Sequence, residues 1–484
     1  MTRPPVRASR SAVFLLASVA LGVVVLASAC APKTKYVAPA PEQLAPAFRE
    51  NAEWKTAEPS DTALRGKWWE LFGDPALNAL EEQIDVSNQT LKAADAQFAQ
   101  ARALVRGTRA SLFPQVDAIP SASRAEGSGN RPATAFHLAG NDFVLPIDVS
   151  YEADVWGRIH SAVSASRAAA QASNADLETA RLSLHAELAV DYFTVRGIDR
   201  DRQLLEAAVD SFQKTLELTQ SRFQGGIASQ SDVALAETVL ETTRAQAVEV
   251  GVGRAMIEHA IAVLVGKPAS LFSLTVEPLK ATPPAVPVGL PSELLERRPD
   301  IAGAERRVAA ANAQVGVATA AFYPRLLLAG TGGFESSPLG SLLTGTSSFW
   351  SIGAALAVNV FDAGRRNAVS DQARAAQEQA IAVYQQSVLL AFREVEDQLA
   401  TLRILDEEAT IQRRAVDAAQ RALMQATNRY RGGLASYLEV TIAQSAALAN
   451  ERILVAILTR RMNASVLLMK GLGGGWQVST LMAQ

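Results

Sequence analysis

Cysteine is almost absent from this chain. Cys30 is the only one in 484 residues, so no disulfide can form within it. Charge of one sign is also lacking. The net charge is −3, and no run of Lys and Arg interleaved with aromatics occurs, so a nucleic-acid partner is not expected. Apart from the N-terminal leader there is no long hydrophobic run, although 49% of residues are hydrophobic, which excludes a helical membrane transporter. The four histidines, His137, His160, His185 and His259, have no metal-ligand spacing, and no HExxH occurs. No Gly-x-Ser-x-Gly, phosphate loop or cysteine nucleophile is found; the glycine run at Gly471–Gly475 has no preceding strand and no following Lys-Ser/Thr. Catalytic residues, metal and cofactor are therefore all read as none.

The first 29 residues read as a secretory leader. Arg3, Arg7 and Arg10 precede an apolar stretch from Ala12 to Leu26, and Ala27-Ser28-Ala29 leads into Cys30. Small residues before the one cysteine resemble a lipobox, although Ala27 occupies the usual leucine position. Cys30 is thus a candidate for lipidation, and several acyl chains would anchor it firmly in lipid. An ordinary cleavage site beside a stray cysteine is the alternative.

The chain is duplicated. Phe113-Pro114-Gln115-Val116 returns as Tyr323-Pro324-Arg325-Leu326, and Asp154-Val155-Trp156-Gly157-Arg158 has an echo ending at Arg365. Arg222-Phe223-Gln224-Gly225-Gly226 returns as Arg429-Tyr430-Arg431-Gly432-Gly433. Three echoes in one order, each displaced by roughly 200 residues, indicate two copies of one unit. The expected boundaries are a leader 1–29, an extension 30–66, a first repeat 67–281, a Pro-rich joint 282–298, a second repeat 299–470 and a tail 471–484.

Each repeat mixes two periodicities. Alternation over 143–153 and 349–361 predicts strands with one apolar face, paired with weaker patterns at 114–124 and 325–335. No proline occurs between Ile147 and Lys267 or after Pro338, and heptads such as Ile381, Val388, Val395, Leu402 and Ala409 predict coiled-coil helices. Helical hairpins are expected over 157–264 and 364–468, each turning at its Gly-Gly, with the first helix of each roughly 100 Å long. Four strands cannot close alone in lipid, since closure takes about eight or more. Two or three copies must share a barrel, unless the strands belong to a soluble sandwich. A porin would need more strands and no long helices; a periplasmic scaffold would lack the strand pairs.

Trp68-Trp69-Glu70-Leu71-Phe72-Gly73-Asp74-Pro75, Tyr151 through Arg158, and Arg297-Arg298-Pro299-Asp300-Ile301 running on to Tyr323-Pro324 carry a family resemblance. The chain resembles the TolC-like outer-membrane efflux factors, specifically the lipoprotein branch serving resistance–nodulation–division pumps. The resemblance implies an α+β membrane channel: a trimeric β-barrel, four strands per protomer, continuous with a long coiled-coil α-barrel, plus a mixed equatorial domain. It implies a homotrimer in the outer membrane, lipid-anchored and extending into the periplasm, that passes small toxic compounds or drugs. Its implied partners are a periplasmic adaptor and an inner-membrane resistance–nodulation–division transporter; a metal-ion efflux or type I secretion channel is the alternative. By the same resemblance, Gly225, Gly226, Ser229, Gly432, Gly433 and Ser436 receive the adaptor. Asp232, Tyr430 and Arg431 latch a periplasmic gate, and Leu438 forms its constriction. Here the sequence departs from the family: Ile442 stands where a pore aspartate is expected and Ser445 where an arginine is, which implies a more apolar throat.

Overall fold

The computed structural model describes residues 67–126, 139–280, 283–284 and 298–474. Cys30, the leader, most of the Pro-rich joint and most of the C-terminal tail lie outside them. In chain order the elements are α1 (Pro75–Ser87), α2 (Gln89–Ala110), β1 (Gln115–Ala118), β2 (Ser121–Ala125), β3 (Gly140–Ala153), α3 (Arg158–Gln224), α4 (Gln230–Leu264), α5 (Pro299–Ala320), β4 (Arg325–Ser336), β5 (Ser348–Ala357), α6 (Arg365–Arg431) and α7 (Tyr437–Gly471). None of the described helices is long and apolar enough to cross a membrane.

The chain divides into two compact units that cut across the repeats. Among the described residues, one contains 98–126, 139–173 and 304–384; the other contains 67–97, 174–280, 283–284, 298–303 and 385–474. Duplication therefore did not yield two separate domains, because each unit takes parts of both copies.

The first unit holds one antiparallel sheet in the order β1-β3-β4-β5, with β2 also on β3. The strand expected over 114–124 is two strands. Ala118 pairs with Ile147 and Ser121 with Val144, so the register is unbroken across the gap. Within that gap Pro120 and Pro146 lack the N–H groups a ladder needs, so the lane persists while its hydrogen bonds lapse. The strand expected over 349–361 ends at Ala357. Its partner β4 starts at Arg325, opposite Ala357 and directly after Pro324, so Val358, Asn359 and Val360 have no partner within the sheet.

Register explains the apolar face. Ile147, Gly332 and Trp350 lie in one row across the sheet, and Val149, Gly330 and Ile352 in the next. Trp350 and Ile352 are 80% and 81% exposed, although both are large apolar side chains. The opposite face carries the row Asp148, Thr331 and Ser351, where the Thr331 hydroxyl donates to Asp148 at 2.5 Å. Gly333 is obligatory: a Cβ there would lie 2.2 Å from the Leu145 carbonyl. The sheet passes into helix through a fixed corner. Trp156 Nε1 donates to the Pro324 carbonyl at 2.6 Å and its ring stacks on Tyr323, while Arg158 grips Glu152 with two hydrogen bonds.

In the second unit the heptads do what a coiled-coil repeat does. Val388, Val395, Leu402 and Ala409 are buried on α6, as are Leu188, Val195, Leu205 and Phe212 on α3. Gln412, which interrupts one apolar column, is satisfied by the Asn450 carbonyl and side chain of α7. Helix α1 is fastened to α3. Asp74 caps α1 by accepting from Ala76 and Leu77 N–H, and its second oxygen accepts from the Tyr192 hydroxyl at 2.7 Å.

Next to that cap, Glu81 is fully buried and bonded to His185 Nδ1 at 2.7 Å. His185 stacks on Trp69, and its Nε2 faces Asp85 at 3.5 Å; Arg181 holds Asp85 from the solvent side. Burial pushes the Glu81 carboxyl up to about 7 against the pull of His185. Burial works against the charged form of His185, yet Asp85 and Glu81 carry its pKa above the ordinary value. Both groups hold protons more tightly folded than unfolded. Their contribution to stability is complete in acid; the Glu81 part is lost between about pH 4.5 and about 7 and the His185 part as pH rises above 6.5, by about 1.4 kcal/mol per pH unit for each proton involved. Thermal unfolding followed by circular dichroism should therefore show the protein losing stability as pH rises from about 4.5 to about 7. Glu81→Gln, which removes that titration and one of the groups raising His185, should flatten the slope, and a protein that gains stability over the range would contradict the assignment.

Candidate functional site

The duplicated Gly-Gly motifs form two matching turns in the second unit. After α3, Gly226 N–H donates to the Phe223 carbonyl and Ile227 N–H to the Arg222 carbonyl. After α6, Gly433 N–H donates to Tyr430 and Leu434 N–H to Arg429. This paired pattern is the Schellman motif, and it places the second glycine of each pair in the left-handed region, at φ 70° for Gly226 and 74° for Gly433. Gly225 and Gly432 are different. Neither has positive φ, and a Cβ on either would meet its nearest neighbour at an ordinary 3.5 Å. Helix capping explains one glycine of each pair and leaves the other unexplained.

Beyond the turns the two hairpins diverge. Ser229 caps α4 through a reciprocal capping box: its hydroxyl accepts from Asp232 N–H at 3.2 Å, and Asp232 Oδ2 accepts from Ser229 N–H at 2.9 Å and from its hydroxyl at 2.8 Å. Ser436, its counterpart, makes no side-chain cap on α7. Glu439, the counterpart of Asp232, instead pairs with Arg429 at 3.3 Å. Asp232 is thus engaged within its own turn. Arg431 is exposed and has no ion-pair partner among the described residues, so the structure does not bring Asp232 and Arg431 together within one chain.

Beneath the turns, Phe212, Leu216, Ala236, Leu240, Tyr430, Tyr437 and Val440 form one buried cluster drawn from α3, α4, α6 and α7. Tyr430 is buried and meets Tyr437 edge-on at 5.7 Å. The Tyr430 hydroxyl lies 3.2 Å from Thr219 Oγ1, and the Arg222 guanidinium sits 4.5 Å from its ring centroid. Burial raises the Tyr437 pKa above its ordinary value. Leu438 and Ile442, one turn apart on α7, are 54% and 61% exposed, and Ser445 continues the same exposed face. Sequence reasoning missed Arg222, Thr219 and Tyr437. A signal existed for the first: Arg222 holds in the first repeat the place that Arg429 holds in the second.

The geometry describes helix ends, a small aromatic core and an exposed apolar face. Among the described residues no group of His, Cys, Asp or Glu is arranged to hold a metal.

The family described as "Outer membrane efflux protein" matches residues 80–267 and 290–474. The chain is 32% identical to the pyoverdine export outer membrane protein OpmQ of Pseudomonas aeruginosa, over 88% of this chain and 91% of that protein. It is 31% identical to the solvent efflux pump outer membrane protein SrpC of Pseudomonas putida, over 91% of this chain and 95% of that one. Among solved structures it superposes on the outer-membrane channel OprN with a TM-score of 0.86 at 30% identity, covering 93% of this chain and 100% of that one. The chain belongs to the outer membrane efflux protein family: it has the α+β fold of these channels and is a channel of the outer membrane, not an enzyme.

Proposed function

We propose that three copies of this chain form one outer-membrane channel, and that the paired helix ends of each copy make its periplasmic mouth. The observation that supports this reading is the sheet. It has four lanes, an apolar face bearing Trp350 and Ile352, and unpaired edges at β1/β2 and β5. Three copies give twelve lanes, enough for the closed barrel that lipid requires. The other components of the pump are a periplasmic adaptor and an inner-membrane resistance–nodulation–division transporter. The substrates are small toxic compounds, in keeping with relatives named for pyoverdine export and solvent efflux.

At the mouth, Arg431 has no ion-pair partner among the described residues of its own chain and Asp232 Oδ2 caps its own helix, so a latch between them runs from one copy to the next. Exposed ion pairs contribute about 0–1 kcal/mol each, weak enough for adaptor docking to replace them. Leu438 and Ile442 form an apolar throat that resists wetting when narrow. In planar bilayers, Arg431→Ala or the charge-removing Asp232→Asn should raise single-channel conductance, and Ile442→Asp should add cation selectivity. Wild-type conductance in all three would remove the helix ends as the gate.

Gly225 and Gly432, which the turns do not need, leave bare backbone for the adaptor to approach, beside Gly226, Gly433, Ser229 and Ser436. Gly225→Ala and Gly432→Ala should keep the channel folded yet weaken adaptor pull-down. Gly226→Ala forces a side chain into the left-handed region and should instead cost stability, about 1–2 kcal/mol. Equal adaptor binding by the first two variants would end this assignment.

Cys30 is the proposed lipid anchor, supported by its place directly after Ala27-Ser28-Ala29. Radiolabelled palmitate should enter the wild-type chain and not Cys30→Ser; equal labelling would exclude the anchor.

A further inference from the structure

The duplicated Arg-aromatic motif at the helix ends is used in two different ways. In the second hairpin, Arg429 stays local: it pairs with Glu439 at 3.3 Å and lies 3.4 Å from the Leu434 carbonyl, both on its own hairpin. In the first hairpin, Arg222 crosses over. Its Nη1 donates to the Tyr430 carbonyl at 2.5 Å, and its guanidinium lies over the Tyr430 ring. The aromatic partners diverge in the same sense. Tyr430 is buried at 4% exposure, whereas Phe223, its counterpart, is 44% exposed.

The crossing contact has three further properties. Arg222 has no carboxylate partner among the described residues, so its charge is balanced by an aromatic face and a peptide dipole. Its Nε is buried without a hydrogen-bond partner, so the guanidinium is placed by the ring and the carbonyl alone. The Tyr430 carbonyl is also the acceptor that closes the second turn through Gly433 N–H, and Gly433 leaves its open side to the guanidinium: a Cβ there would stand 3.8 Å from Arg222 Nη2. Arg222 therefore grips the residue on which the second turn is built.

We propose that Arg222 is a positioning residue of the gate, the pin that holds the second helix end of each subunit against the first in the resting mouth. Asp232 is not that intrasubunit tie: among the described residues its Oδ2 accepts only from Ser229 in its own capping box. Opening that separates the two hairpins of one subunit must lift the Tyr430 ring and carbonyl away from Arg222. The Thr219–Tyr430 hydroxyl contact lies beside it and is longer, at 3.2 Å. This inference rests on reading the helix ends as the channel mouth.

The test uses the full-length channel in planar bilayers, with heat-modifiable mobility in detergent to report assembly. Arg222→Gln and Tyr430→Leu should each raise resting conductance several-fold, and the double variant should exceed neither, since both changes break one contact. Tyr430→Phe, which keeps the ring and carbonyl and loses only the Thr219 contact, should conduct like the wild type. Arg222→Lys keeps the charge without the planar fork and should fall between wild type and Arg222→Gln. Thermal stability of the assembled channel should stay unchanged in Arg222→Gln and Arg222→Lys, as a merely structural role would not allow, whereas Tyr430→Leu also empties part of a buried cluster and should lose stability. Wild-type conductance in assembled Arg222→Gln, or additive increases in the double variant, would overturn the pin. Should Arg222→Gln fail to assemble, Arg222→Lys decides by the same reading: raised conductance supports the pin and wild-type conductance overturns it. An unaltered Arg222→Gln beside an Ile442→Asp that acquires cation selectivity would discard the pin and keep the mouth. If neither changes the recordings, the mouth itself falls with it.

Discussion

A β-sheet in hydrocarbon cannot stop at an unpaired strand, because every open N–H and C=O at its edge would lack a partner. The sheet of this chain has two such edges, at β1/β2 and at β5, and its apolar face is continuous from Ile147 through Gly332 to Trp350. The hydrogen-bonding deficit and the apolar face together demand other copies and a lipid surrounding. The rest of the architecture follows from that demand. The function of the chain also depends on how its helical hairpins are held.

The duplication supplied the parts and then diverged. Both repeats end their long helix with the same backbone device, the left-handed Gly226 and Gly433 closing matching Schellman turns. The side chains above these turns no longer match. One acidic counterpart became a reciprocal cap with Ser229 and the other an ion pair with Arg429; one aromatic turned inward and the other outward. This asymmetry gives each subunit one end built on its own cap and one end held from across.

Much of the fold was legible because it rests on periodicity. Alternation at Phe143–Tyr151 coincides with β3, and the heptads of α6 coincide with its buried column from Val388 to Ala409. The Gly-Gly pairs marked the turns because a reversal of the chain there calls for positive φ. Missed features came from contacts between distant residues. The gap at Ile119-Pro120 reflects Pro146 on the facing strand, and the end of β5 reflects where β4 begins, so neither is visible in a single segment. At the helix ends, family pattern pointed to Asp232 and Arg431, yet within the chain the pairing runs through Arg222 and Tyr430. No local pattern distinguishes an arginine that crosses to a neighbouring hairpin from one that stays on its own. Likewise Glu81 and His185 are far apart in sequence, and only the packing of α1 on α3 makes them a buried pair.

The requirement that neighbouring copies complete the sheet is tested most directly by joining its two edges. In a Cys30→Ser background, one cysteine placed on β1 or β2 and one on β5 should oxidise between copies. On a non-reducing gel in denaturant the ladder should end at a covalent trimer that dithiothreitol returns to monomer. Crosslinks confined within single chains, or a ladder ending at the dimer, would contradict the account.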